Sequence, residues 1–346
     1  MATPQPENPP AHVRMFQLLG GANITAAIGC LAQFGIPDLL EAGPKSAADL
    51  AGEIGAHPGA LYRLMRATAS VGVLSEGPDG KFSQTPLSAV LRRNANPSLR
   101  ALAAMGRREF YARGWARLEY SVRTGKTALD EVYGKPIWDH LKESPEDAAV
   151  FNDAMTSFSM IDSPAVADAY SFAEFGSIVD VAGGHGLLLA TILQRNPRLK
   201  GTLFDAPHVI EGAKNGPLKP VIDRCTFASG DMFSSVPAGA DAYIMKHIIH
   251  DWPDDLCIQL LKVCRKAVNP GLPAGAGGKL LVVDHVIQPG NDFDPGKFLD
   301  LSMLLFPGGL ERTEKQFRDL FAASGWRLNR VIRTAAGEAV VEGLPA

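Results

Sequence analysis

The chain has 346 residues, enough for about two domains and for a large core that needs no disulfide or metal staple. Hydrophobic residues make up 46% and charged residues 21%, the balance of an ordinary soluble globular protein. Lys+Arg 34 against Asp+Glu 37 leaves a formal charge of −3, which argues against binding nucleic acid through a broad basic face.

Residues 1–12 are polar and proline-rich and read as a disordered tail, without the charged-then-apolar order of a signal peptide. From Met15 to Leu40 apolar residues recur at helical spacing, among them Phe16, Leu19, Ile24, Ile28 and Leu31. Even so, no run is expected to reach the roughly 18 apolar residues of a membrane span. Ser46-Ala-Ala-Asp49 has the form of a capping box that opens a helix, and Pro58 to Val71 predicts a second. Gly77-Pro-Asp-Gly80 then marks a hairpin turn between two short strands. Helix, helix and β-wing is the order of a winged helix. Residues 100–170 read as helical, with Trp138, Leu141, Phe151, Met155 and Phe158 as large apolar members.

The pattern changes near residue 175. Ser177–Val181, Gly201–Asp205, Ala242–Met245 and Lys279–Val283 read as short apolar strands separated by helices, which predicts an α/β domain with a parallel, doubly wound sheet covered on both faces. The expected divisions are 1–110, a helical connector over 111–170, and 171–346. Cys30, Cys225, Cys257 and Cys264 form no C-x-x-C pair, so free, packed thiols in a reducing, cytoplasmic setting are expected.

Four segments carry chemistry. Val179-Asp-Val-Ala-Gly-Gly-His-Gly186 follows the first of these strands, where glycines let a ligand approach the backbone. The third small residue of a dinucleotide fingerprint is replaced by Leu189. Asp180 would repel a pyrophosphate but suits a cationic ligand, and Asp205, ending the next strand, suits ribose hydroxyls. Such glycines also serve plain tight turns, so the framing acids carry the reading of nucleoside binding. Gly230-Asp-Met232 stands past a third run, where Asp231 and Met232 have the chemistry to meet an adenine. Met245-Lys-His-Ile-Ile-His-Asp-Trp-Pro-Asp-Asp255 places His250, titrating near neutrality, just past another strand. His247 and His250 lack a well-placed third ligand, so no metal is expected. Pro307-Gly-Gly-Leu-Glu-Arg-Thr313 presents Glu311 near a helix start, a position also favoured by the helix dipole alone.

Asp-Val-Ala-Gly-Gly-His-Gly, Phe-Asp-Ala-Pro-His-Val-Ile, Gly-Asp-Met-Phe, Lys-His-Ile-Ile-His-Asp-Trp-Pro-Asp and Gly-Gly-Leu-Glu-Arg-Thr occur in that order. Together they resemble the S-adenosylmethionine-dependent O-methyltransferases of the plant caffeate, isoflavone and hydroxyindole type and their bacterial relatives. The resemblance covers nearly the whole chain, including Lys135–Leu141 and Phe151–Met155. It implies a Rossmann-like methyltransferase domain preceded by a winged-helix domain that makes a homodimer. The cofactor S-adenosyl-L-methionine would lie over Gly183, Gly184 and Gly186, near Asp180, with its ribose on Asp205 and its adenine near Asp231 and Met232. Lys246 and Ser159 would also contact it. His250 would be the general base, Glu311 would orient it, and Asp284 would be a second acid. The family usually has Glu in that strand, whereas here Asp284 precedes His285. Phe151, Met155, Phe158, Met303 and Phe306 would surround a small aromatic acceptor. Phe158 stands where plant relatives often have His, and Phe306 lies near a plant Asn, so plant substrates are not expected to transfer.

Two other readings are weaker. Relatives that keep the cofactor for hydroxylation or decarboxylation are disfavoured because His250 and Glu311 are retained. A winged-helix regulator would need phosphate-tracking cations, but the wing carries only Lys81 and the candidate recognition helix only Arg63 and Arg66.

Overall fold

The computed structural model describes residues 9–268 and 278–346, and its contacts form two compact units. The first comprises residues up to Ala112 with Ser144–Ser157, and the second Arg113–Glu143 with Phe158–Ala346. The helix Pro145–Ala169 is thus shared between them.

In the first unit, the expected tail lies outside the described residues for positions 1–8, but Ala11 and His12 already belong to a helix, Ala11–Leu19. The apolar period from Met15 to Leu40 is not one helix. It breaks after Gly20 and again at Gly35, whose φ of +67° suits glycine, giving Gly21–Gln33 and Ile36–Leu39. Ser46 caps Ala47–Ile54: its hydroxyl accepts from the Asp49 backbone N–H, and the Asp49 carboxylate accepts from the Ser46 N–H. The next helix is Pro58–Ser70. Strands β1 (Lys45–Ser46), β2 (Leu74–Glu76) and β3 (Lys81–Gln84) form an antiparallel sheet in the order β1-β3-β2. Leu31, Leu50, Leu61, Met65, Leu74 and Phe82 are buried in the core of this unit.

Ala11–Leu19 buries none of its residues, leaving Phe16, Leu18 and Leu19 exposed. Moreover, Ala11–Gln33 is long and apolar enough to cross a membrane by length and composition, which corrects the expectation that no run would be. Gly, Asn, Thr and Gln interrupt its apolar residues, but their small or neutral side chains leave the average apolar.

The second unit is built on a seven-stranded sheet of β4 (Ser177–Val181), β5 (Lys200–Asp205), β6 (Cys225–Ser229), β7 (Ala242–Lys246), β8 (Lys279–Asp284), β11 (Trp326–Arg333) and β12 (Ala339–Pro345). A separate parallel pair is formed by β9 (Val286–Ile287) and β10 (Arg312–Thr313). The main sheet runs β11-β12-β8-β7-β4-β5-β6. Its five strands from β8 to β6 are parallel, as expected from their continuous apolar runs. Beyond those five strands, β12 is antiparallel to both β8 and β11. A hairpin with β11 feeds β12 back beside β8 without a helical crossover, so its direction reverses.

Two cores cover the sheet. One gathers Tyr243, Met245, Leu260, Phe317, Phe321 and Trp326; the other gathers Val166, Ile178, Leu189, Leu193, Ile244 and Leu281. Parallel strands end on one edge, and the segments after β4, β5, β7 and β8 all emerge there. The four cysteines are free, with Cys257 and Cys264 buried and Cys30 and Cys225 half-buried.

Candidate active site

The loop after β4 is shaped by close approach. A Cβ on Gly183 would lie 2.5 Å from the Asp180 carboxyl, so only glycine lets the chain pass over that side chain. Gly184 and Gly186 have φ of +59° and +79°, and Gly186 opens the helix Leu187–Arg195. Asp205, ending β5, reaches back over this loop. Its Oδ2 accepts from the Gly184 N–H at 2.8 Å, and its Oδ1 accepts from the Ala206 N–H at 2.6 Å. Asp180 is buried, and its Oδ2 has no hydrogen-bond partner among the described residues. Burial pushes its pKa up to about 7; Lys246 opposes that rise and Asp205 adds to it. This is a negative, glycine-floored recess that would favour a cation. Lys246 donates to Ser159 Oγ at 3.1 Å, so these two expected site residues meet. Asp231 is exposed beyond β6 and caps its own turn, accepting from Phe233 N–H at 3.0 Å and Ser234 Oγ at 2.6 Å; Met232 beside it is half-buried.

The second group lies past β7 and β8. His250 sits in a short turn, Ile249–Asp251, and is buried. Its Nδ1 is 2.6 Å from Glu311 Oε1, 1.2 Å closer than to Asp284 Oδ1 at 3.8 Å, while Nε2 is 3.6 Å from Asp251 Oδ1. A carboxylate accepting from Nδ1–H leaves the Nε2 lone pair free to take a proton. Burial pulls the imidazole down, but Asp284, Glu311 and Asp251 outweigh it, and the pKa is pushed up to about 10. Burial raises Asp284 to about 8 despite the attraction of His250. Neither oxygen of Asp284 has a hydrogen-bond partner among the described residues.

His247 does not join His250 and Asp251 in a ligand set. Its backbone adopts φ +57°, and its ring stacks on His250 with centroids 5.1 Å apart. Its Nε2 points to Asp162 Oδ2 at 3.7 Å and Glu338 Oε1 at 3.8 Å. Those three groups are spaced closely enough for a metal to bridge. The Lys246 ammonium, 3.6 Å from Asp162 and 3.4 Å from His247 Nδ1, already brings positive charge there, so we read an ion-paired network. Sequence reasoning missed Asp162 and Glu338, which carry no motif and meet only through the fold. It also missed Asp300, whose carboxylate accepts from the Glu311 N–H at 2.9 Å.

Of the expected acceptor residues, Phe158, Met303 and Phe306 belong to the second unit and Phe151 and Met155 to the first. The Phe306 ring lies against Gly114, where a Cβ would come within 2.5 Å of it. Phe158 and Met303 are half-buried in their helices, Pro145–Ala169 and Pro295–Leu305. Phe151 and Met155 stand one helical turn apart, both half-buried.

Residues 115–327 match the model of an O-methyltransferase domain, and residues 16–94 match that of an O-methyltransferase dimerisation domain. The chain is 40% identical over 332 residues to a phenazine O-methyltransferase of Lysobacter antibioticus, covering 96% of this chain and 95% of that protein. It is 37% identical over 345 residues to a mitomycin biosynthesis 6-O-methyltransferase of Streptomyces lavendulae, with coverage of 96% and 95%. Among solved structures it resembles an O-methyltransferase of neocarzinostatin biosynthesis, in complex with S-adenosylmethionine and 2-hydroxy-5-methyl naphthoic acid. There the TM-score is 0.76 at 29% identity, covering 94% of this chain and 96% of that one. The recess fits such a cofactor, since Asp180 keeps an oxygen without a partner and Gly183 leaves no side chain over it. The chain belongs to the S-adenosylmethionine-dependent O-methyltransferases and carries their dimerisation domain.

Proposed function

We propose that His250 is the general base of methyl transfer to the hydroxyl of a small, planar phenol. S-adenosylmethionine, when bound, supplies an electrophilic methyl on a sulfonium. Everything else falls to the chain's own residues. A phenol has a pKa near 10 and is mostly protonated at neutral pH, so removing its proton as the new bond forms contributes typically about 10²–10⁴-fold. The observation that carries this reading is the 2.6 Å contact between His250 Nδ1 and Glu311, which presents Nε2 as the acceptor of that proton. Asp284, 3.8 Å from the same Nδ1, would stabilise the imidazolium as it forms.

Asp180, Gly183, Gly184, Gly186, Asp205, Asp231, Met232, Lys246 and Ser159 would hold the cofactor, with Asp205 taking the ribose hydroxyls on lone pairs its two backbone bonds leave free. Phe158, Met303 and Phe306, all in the second unit, would face the acceptor ring. The aromatic character of that acceptor is supported by the phenazine in the name of one relative and the naphthoic acid bound to another. Enclosure by Phe and Met favours flat, adaptable binding.

The exposed apolar side of Ala11–Leu19 would be covered by a second copy of the chain, since it lies within or beside the matched dimerisation domain, and not by lipid. With a formal charge of −3, nucleic acid is not a partner in this reading, and the chain works as a cytoplasmic enzyme. The test is incubation of labelled S-adenosylmethionine with a panel of phenols, indoles, quinones and non-aromatic alcohols. Methyl transfer to several planar phenols is the expected result. Transfer confined to one non-aromatic alcohol would overturn the acceptor assignment.

A further inference from the structure

We propose that Arg312 is a positioning residue for the base: its buried guanidinium fastens the turn that carries His250 to the segment that carries Glu311. This inference rests on the general-base reading above. Arg312 is 1% exposed. Its Nη1 donates to the Ile249 carbonyl at 2.8 Å and its Nη2 to the Trp252 carbonyl at 3.0 Å, so it grips the chain on both sides of His250. Its Nε and Nη2 also donate to Asp254 Oδ1 at 3.0 and 2.7 Å, at the start of the helix Asp254–Ala267. A planar fork with several fixed donors can hold two carbonyls and a carboxylate at once, which a lysine ammonium on a flexible stem cannot reproduce.

The other end of the clasp is covalent, because Glu311 is the preceding residue. The strand β10 that begins at Arg312 also pairs with β9, Arg312 standing opposite Val286, two residues beyond Asp284. Arg312 therefore joins three segments: its side chain grips the turn bearing His250, its backbone pairs beside the segment bearing Asp284, and Glu311 is its chain neighbour. Gly309 completes the approach. A Cβ there would fall 2.0 Å from the His250 carbonyl oxygen and 2.7 Å from the Trp252 nitrogen, so this segment lies directly on the turn it holds. The motif thus does more than place a carboxylate near an imidazole. It fixes the distance between them.

The test uses the full-length enzyme and compares Arg312→Lys with wild type, His250→Gln and the double variant. Lysine keeps the charge and loses the fork. Because a misplacement of about 1 Å can cost about 10²-fold, kcat of Arg312→Lys should fall by about that factor. Acceptor KM and the Kd for S-adenosylhomocysteine should stay nearly unchanged. The groups facing His250 are Asp251, Asp284, Glu311 and the stacked His247. Loosening the Glu311 contact lets the imidazole fall back toward its ordinary pKa, so the acid limb of kcat should move to lower pH. In the His250→Gln background the same change should cost nothing further. Unchanged kcat per folded molecule with an unchanged pH profile, or an undiminished penalty in the His250→Gln background, would overturn the inference. Full activity in His250→Gln would instead overturn the base assignment, so the two failures are distinct. If Arg312→Lys does not accumulate as folded protein, Asp254→Ala frees the fork at its exposed end. It should give a smaller loss of kcat with the same shift of the acid limb, and no change in either would count against the inference.

Discussion

Two carboxylate clusters stand on the same edge of one sheet and are built in opposite ways. Asp180 and Asp205, at the ends of β4 and β5, face a floor of glycines, and Asp180 keeps an oxygen without a partner among the described residues. Asp284 and Glu311 instead crowd around an imidazole that is stacked on a second ring and carried on a turn whose carbonyls the Arg312 guanidinium grips. The first arrangement leaves negative charge available to an incoming cation. The second holds its charge around a proton. Burial raises Asp180 and Asp284 alike; Asp180 feels the Lys246 ammonium, whereas Asp284 has the His250 imidazole 3.8 Å away. On our reading one cluster binds the methyl donor and the other prepares the acceptor, so substitutions in the two should separate cleanly into binding and turnover.

The largest effect on turnover is expected at His250. His250→Ala should lower kcat by about 10²–10⁴-fold with the Kd for S-adenosylhomocysteine, read by calorimetry, nearly unchanged. Asp284→Asn sharpens the contrast through pH. A nearby opposite charge moves a pKa by about 1–3 units, and here Asp284 raises His250. A base works only when deprotonated, so wild-type kcat should fall as pH drops below a midpoint lying on the alkaline side of an ordinary histidine. Removing the Asp284 charge should carry that midpoint to lower pH, and a midpoint that stays or rises would show that this carboxylate does not face the working imidazole.

In the other cluster, Asp205→Ala should leave kcat at saturating cofactor almost intact. It should weaken cofactor binding by about 1.5–3 kcal/mol, the worth of a charge-assisted hydrogen bond. A kcat loss as large as that of His250→Ala would break the division between the two clusters. The smallest effect on turnover is expected from Phe16→Ser with Leu19→Ser, far along the chain from either cluster. Each exposed side chain that a partner would cover is worth up to about 1.5–3 kcal/mol, so light scattering at micromolar concentration should show the dimer dissociating. A double variant that stays dimeric would move the interface elsewhere.

The parallel strands, the wing and the capped helix at Ser46 were legible because each rests on local chemistry: continuous apolar runs, a glycine-bounded turn and a capping box. The C-terminal hairpin was not. β11 reads Trp-Arg-Leu-Asn-Arg-Val-Ile-Arg, whose alternation holds at Trp326, Leu328 and their polar neighbours but is broken by a register shift between Leu328 and Arg330. In the site, His250 and Glu311 could be named because they fall in motifs that resemble a known family, and Asp284 because that family has an acid in the same strand. Asp300, Asp162 and Glu338 fall in no such motif, and Arg312 falls in one whose pattern does not say what its side chain holds. Their importance lies in contacts between distant positions, from Asp300 to Glu311, 11 residues apart, to His247 and Glu338, 91 apart, and no local pattern encodes such a meeting. The break of the N-terminal apolar period at Gly20 and Gly35 was hidden for a related reason, since helical spacing continues in phase through a short interruption.

The division between the clusters stands or falls on whether His250 takes the acceptor's proton, and phenols of graded acidity test this most directly. Single-turnover rates of wild type and His250→Ala would be compared across a series of one ring shape, from phenols largely ionised at the assay pH to phenols hardly ionised. With His250 as the base, the mutational penalty should shrink toward nothing for the ionised phenols, which need no base, and grow steadily as the acceptor becomes less acidic. A penalty of the same size across the whole series, or none for the least acidic member, would contradict it.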